Sequence, residues 1–429
     1  MTSFLKFGVL FLLVALYACN ENQNMNQKDP SKERSTDVTA KDILGNPDYI
    51  AISYSGYRLK SREFHPTVEQ VKEDMKILAA MDIKVIRMYD VKSEYASNVL
   101  QAIDELMKDD STFEMYVMLG AWIDCKNPRT QYPDHNSEDL VENTKEIERA
   151  IKLTKKYPHI VKVIAVGNEA MVKWATGYYV QANVILKYVK QLQKEKAEGN
   201  LPKDLWITSS DNFASWGGGS PEYHTEDLTE LINSVDFISV HSYPMHDTHY
   251  NPDFWGVSEE ESQLSKKEMI DVAMQRALDY IKNQYEATKE YMVSLGVNKP
   301  VHIGETGWAS FSNGFYGSNG SRATDEYKEA IYHQKVRDWT NSENISCFYF
   351  EAFDEIWKDA KNPGGSENHF GLFDVHGNAK YALWDLVDAG VFKGLHRGNR
   401  PIQKTFNGDL DSLMNTVQSP PIKAFELME

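Results

Sequence analysis

From Tyr49 to about Gly390 the chain alternates short apolar runs, rich in Val, Ile and Tyr, with longer segments of helical period. The apolar runs predict eight strands: Tyr49 to Gly56, Ile83 to Tyr89, Phe113 to Trp122, Ile160 to Gly167, Leu205 to Ser210, Val235 to Tyr243, Pro300 to Glu305 and Ile345 to Phe350. They are apolar at nearly every position, as strands covered on both faces are. Between them, Val68, Val71, Met75 and Leu78 share one stripe of a helix over Thr67 to Met81. Similar stripes run through Leu140 to Tyr157, Tyr178 to Lys194, Lys266 to Leu295 and Asp325 to Trp339. Strand and helix in alternation, eight times over, predict one α/β domain, a closed (β/α)8 TIM barrel over residues 45–392. An open, doubly wound sheet shares the alternation but fits the unit count less well. Residues 393–429 have few apolar side chains and contain Pro420-Pro421, and are expected to be a tail packed on the barrel.

The stretches too long for a minimal barrel all follow strands: Ile123 to Asn136, Asp211 to Glu226, Pro244 to Ser265, Ala309 to Ala323 and Asp354 to Phe370. Such loops crowd the C-terminal end of the strands, where barrel enzymes build their active sites. Two strands run directly into a carboxylate at that end. The fourth closes with Val166-Gly167-Asn168-Glu169 and the seventh with Ile303-Gly304-Glu305-Thr306-Gly307-Trp308. Either glutamate alone reads as a salt-bridged strand end. Strands four and seven lie roughly across a barrel, however, so the two together can flank one bound bond, about 5–5.5 Å apart in a retaining glycosidase.

At these residues the sequence resembles glycoside hydrolase family 17, the β-1,3-glucanases. The resemblance also runs through Ile52-Ser53-Tyr54, Arg87-Met88-Tyr89-Asp90 and Phe353-Asp354-Glu355. It implies that Glu169 is the general acid/base, Glu305 the nucleophile, Asn168 a ligand of the sugar 2-hydroxyl, and Tyr243 a neighbour of Glu305. It further implies a charged network of Glu355, Lys358 and Glu367 beside the site. Tyr54, Tyr89 and Trp308 are expected to contact sugar, while Trp122, Trp174 and Trp216 divide evenly between sugar platforms and loop anchors. Ala309-Ser310 and the loop Asn313 to Ser321 depart from the plant members, which continue with Pro-Ser. The expected reaction is double displacement on laminarin-type glucan, with transglycosylation and a non-catalytic glucan receptor as alternatives. Neither metal nor organic cofactor is expected: His241, His246, His249 and Asp247 lack the spacing of a zinc motif. Gly217-Gly218-Gly219 lacks the lysine of a phosphate loop and reads as a flexible cleft rim.

Composition narrows the partner. With 46 basic against 63 acidic residues the chain carries a formal charge of −17, which argues against nucleic acid and suits a neutral polysaccharide. The apolar run Phe7 to Tyr17 after Lys6 is short for a membrane span and ends in Leu16-Tyr17-Ala18-Cys19, which resembles a lipoprotein lipobox. Residues 1–19 are thus expected to be a signal peptide, Cys19 the lipidated residue and residues 20–44 a polar tether, with an ordinary signal peptide that happens to contain a cysteine as the alternative. The expected product is a monomer in the cell envelope, touching the membrane through its lipid alone. Cys125 and Cys347 are expected to be buried thiols, with a single bridge between them as the alternative.

Overall fold

The computed structural model describes residues 38–423, so Cys19 and the expected signal peptide lie outside the described residues. Eight parallel strands close into a barrel: β1 (Ile50–Ser53), β2 (Ile83–Arg87), β3 (Tyr116–Ala121), β4 (Val161–Asn168), β5 (Trp206–Asn212), β6 (Ile238–His241), β7 (Val301–Thr306) and β8 (Cys347–Tyr349). They pair in chain order, and Ile52 of β1 lies opposite Tyr349 of β8 to close the ring. The helices between them are α1 (Val68–Ala80), α2 (Glu94–Asp109), α3 (Leu140–Lys156), α4 (Ala182–Ala197), α5 (Glu226–Ser234), α6 (Lys266–Ser294) and α7 (Glu326–Ser342). After β8, a helical turn at Trp384–Asp388 takes the eighth place.

Helix starts follow local chemistry. Thr67 and Gln70 form a reciprocal capping box at α1, and Ser265 and Glu268 do the same at α6, each satisfying backbone N–H groups that the first turn leaves unpaired. The main core lies between the strands and the helices. A second apolar cluster joins Ala51, Val85, Met118, Val163 and Phe348 from five strands, whose parity turns them toward the barrel axis. Ala40 and Ile43 belong to this cluster, on a capped helical turn at Ala40–Ile43. The expected tether therefore ends earlier than residue 44: Ile43 and Leu44 are apolar and buried in the barrel floor, which a solvated linker cannot be.

Several loops above the strands carry structure of their own. A hairpin pairs Cys125–Lys126 with Asp134–Glu138, and a short helix at Pro244–Tyr250 follows β6. Gly217, expected on a flexible rim, is instead wedged against Tyr291, where a Cβ would come within 2.0 Å of the ring. In the C-terminal segment Arg397 donates to Asp74 of α1, Lys266 donates to the carbonyls of Met414 and Val417, and Ile422 bridges to Val257. Cys125 and Cys347 are both free and buried. No helix among the described residues is long and apolar enough to cross a membrane.

Candidate active site

The strand ends open into a cleft of about 1360 Å³, lined by Glu169, Glu305 and many aromatic side chains. Two glycines shape its floor. Gly167 takes φ +80°, turning β4 so that Glu169, itself at φ +48°, leaves the strand toward the cleft. At Gly304 a Cβ would lie 2.1 Å from Ser239 Oγ and 2.5 Å from Ser210 Oγ, so only glycine lets β7 pass these hydroxyls and deliver Glu305. Carboxylate oxygens of Glu169 and Glu305 and a ring nitrogen of His241 all lie within 4.8 Å of one another, a separation that suits retaining more than inverting chemistry.

Glu305 is surrounded by donors. Arg87, buried at the end of β2, donates one guanidinium N–H to Oε1 and another to Asn168 Oδ1. Tyr243 donates its hydroxyl to Oε2 over 2.8 Å. Burial alone would raise the Glu305 carboxyl; His241, Arg87 and the Tyr243 hydrogen bond outweigh it and hold the group below the usual carboxylate range. Glu169 meets the opposite balance. Burial first, and then repulsion from Glu305, push it up to about 8. At neutral pH one glutamate therefore carries a proton and the other does not.

His241 joins the two. Burial pushes the ring down to about 4, so it is neutral. Its Nε2 lies 2.7 Å from Ser210 Oγ and 3.4 Å from an Arg87 guanidinium nitrogen. Nδ1 lies 3.1 Å from Glu169 Oε1 and 3.5 Å from Glu305 Oε2. Asp211, pushed up to about 6 by burial, accepts the backbone N–H of Met171 at 2.7 Å and braces the turn behind Glu169.

The expected contacts divide. Asn168, Tyr89, Tyr243, Lys358 and Glu367 line the cleft, as do Trp122 and Trp174. Tyr54 does not: it is 1% exposed and donates its hydroxyl to Asp74 at 3.0 Å, facing α1 instead of the barrel mouth. Trp308 is also turned away, fully buried against Trp255 and Tyr332 with its indole N–H on the Ala323 carbonyl. Trp216 is a loop anchor, donating to the Ser239 carbonyl. The charged network is rearranged as well. Lys358 bridges Glu355 at 3.2 Å and Glu351 at 2.9 Å, while Glu367 pairs with His246 at 3.4 Å. Glu355 is buried and accepts from Ser55, so it supports the cleft from beneath. Of the histidine group, His246 lines the cleft and stacks on Tyr243, with ring centroids 5.4 Å apart.

No local pattern assigns Arg87 or His241 to the glutamate pair: Arg87 falls in the family motif, His241 in the histidine group that lacks zinc spacing, and Glu351 in no motif. Arg87 carried a signal nonetheless: a cation at the end of the apolar strand Ile-Lys-Val-Ile-Arg must be buried, and a buried cation requires an anion.

Residues 51–371 match the model of the BtgE/BtgC glycoside hydrolase domain. A probable glucan endo-1,3-beta-glucosidase btgC from Aspergillus flavus is 25% identical over 397 residues, covering 86% of this chain and 50% of the fungal protein. The chain thus spans about half the length of the curated relatives it matches. The crystal structure of an endo-laminarinase from Formosa Hel1_33_131 is 63% identical with a TM-score of 0.89, covering 90% of this chain and 99% of that one. A glycoside hydrolase family 17 β-1,3-glucanosyltransferase from Rhizomucor miehei, 21% identical with a TM-score of 0.54 over 78% of this chain and 96% of its own, shares the fold. With its two strand-end glutamates poised in opposite protonation states and its barrel matched over residues 51–371, the chain belongs to the BtgE/BtgC glycoside hydrolases of family 17.

Proposed function

We propose that the chain is a retaining endo-β-1,3-glucanase that cleaves laminarin-type glucan by double displacement. The observation that carries this reading is the Glu169 and Glu305 pair, within 4.8 Å and held in opposite protonation states. The linkage is supported by the relatives, which are named as glucan endo-1,3-beta-glucosidases and an endo-laminarinase. The cleft volume, above the roughly 300–1,000 Å³ of most small-molecule sites, suits a chain of several sugars.

In the first step the Glu305 carboxylate attacks the anomeric carbon while Glu169 gives its proton to the departing glycosidic oxygen. Loss of the Glu305 charge removes the repulsion that raised Glu169, so its carboxylate is ready to take a proton from water. That water attacks the glycosyl-enzyme, releases Glu305 and restores both groups. Asn168, steadied by Arg87, is the ligand for the 2-hydroxyl, where hydrogen bonding strengthens as charge develops. Lipidation at Cys19 belongs to the same proposal. It is supported by the apolar run ending at that cysteine, and detergent phase partitioning of the full chain against Cys19→Ala tests it.

Incubation with laminarin, mixed-linkage glucan and cellulose tests the reaction. Laminarin is expected to yield intermediate chain lengths early, with the β anomer formed first by NMR. The α anomer appearing first would overturn the retaining mechanism. Tight binding without turnover would indicate a receptor.

A further inference from the structure

Trp174 is the one exposed tryptophan among the nine in the chain, all of which lie within the described residues. It is 62% exposed, yet it lines the cleft. Among the described residues its indole has no ring partner and its N–H no acceptor. The other two cleft tryptophans are engaged: Trp122 packs on Tyr178 and donates to Asp124, and Trp357 lies under Arg62.

The backbone beneath Trp174 is pinned on both sides. The Lys173 N–H donates to the Tyr223 hydroxyl at 2.9 Å, and the Lys173 ammonium pairs with Glu222 at 2.7 Å. Val172 and Ala175 are buried, and the Val180 N–H closes the loop onto the Ala170 carbonyl at 2.7 Å. A loop anchor buries its ring, as Trp216 does; here other contacts fix the backbone and the ring is presented to solvent.

The position says which part of the substrate meets that ring. Trp174 lies five residues beyond Glu169, on the loop that continues from β4. An acid must face the glycosidic oxygen, so the chain that runs on from it borders the departing sugar. We propose that Trp174 is the platform on which the leaving-group sugar stacks, and that it thereby divides the glycosyl-enzyme between water and a sugar acceptor. This inference rests on the β-1,3-glucanase reading above. When a sugar occupies the platform, its hydroxyl oxygen forms the new bond to the anomeric carbon as the ester bond to Glu305 breaks. The hydroxyl proton passes to the Glu169 carboxylate, and the product is a longer chain. A ring carried on a fixed backbone favours such occupancy because no loop has to be ordered on binding.

The test compares wild type, Trp174→Ala and Trp174→Phe on laminarihexaose, following both rate and product length. In Trp174→Ala, kcat/KM is expected to fall about tenfold, chiefly through KM, because a flat apolar binding surface is lost. Products longer than the substrate fall in parallel, and Trp174→Phe restores most of both. Wild-type KM and product lengths in Trp174→Ala would overturn the platform while leaving the glucanase reading intact. If the wild type cleaves no β-1,3-glucan, that reading falls and this inference falls with it.

Discussion

The ends of β4 and β7 present the same residue, a glutamate at the mouth of the barrel, in surroundings that demand opposite things of it. Around Glu305 stand Arg87 and Tyr243, a cation and a hydroxyl that both donate to the carboxylate. Around Glu169 stand burial and the negative charge of Glu305, which outweigh the opposing influence of His246 and Arg87. Desolvation raises both groups, so it cannot tell them apart. The difference lies in direct contact: Arg87 and Tyr243 both reach Glu305 and neither reaches Glu169, whose pKa is raised.

The comparison breaks most visibly in the two isosteric amides. Glu305→Gln is expected to lose about 10⁴-fold or more in kcat, since no covalent intermediate forms, while circular dichroism stays that of the wild type. Glu169→Gln is expected to lose about 10²–10⁴-fold on laminarin, and much less on an aryl glucoside whose leaving group departs without a proton. Equal losses on both substrates would contradict the assignment of the acid.

The donors are tested by pH. Wild-type kcat/KM should fall as pH drops through the depressed Glu305 value, below pH 4.5, and again as pH rises through about 8, where Glu169 loses its proton. The two limbs belong to the coupled pair. Arg87→Gln removes a positive charge from Glu305, so its pKa rises and the acid limb moves to higher pH. An acid limb left where it was would mean that Arg87 does not set the nucleophile's charge.

The smallest effect on catalysis is expected at Tyr54, which faces away from the cleft. Tyr54→Phe should leave laminarin kinetics unchanged and cost about 1 kcal/mol of stability, from the lost hydrogen bond to buried Asp74. Denaturant unfolding measures the second part and steady-state rates the first.

Tyr54 also shows where sequence reading reaches its limit. A strand covered on both faces is apolar at every position, so the alternation that tells inside from outside is erased. Tyr54 and Trp308 follow such strands, and a single step of register sends each to the helix side. Glu169 and Glu305 escaped this ambiguity because a carboxylate cannot be left among helices without a partner, whichever way the strand is turned.

From the sequence alone came the barrel, the pairing of Glu169 with Glu305 and the expectation of a neutral ligand. Each rests on patterns local to a strand or on sums over the chain. The tertiary structure alone decided that Ala40–Ile43 belongs to the barrel floor, that Glu351 and not Glu367 takes Lys358, and that Arg87 and His241 complete the site. Arg87 and Glu305 stand 218 positions apart. Their contact exists because barrel closure brings the ends of β2, β4, β6 and β7 to one point, and no local pattern encodes which buried polar groups will meet there.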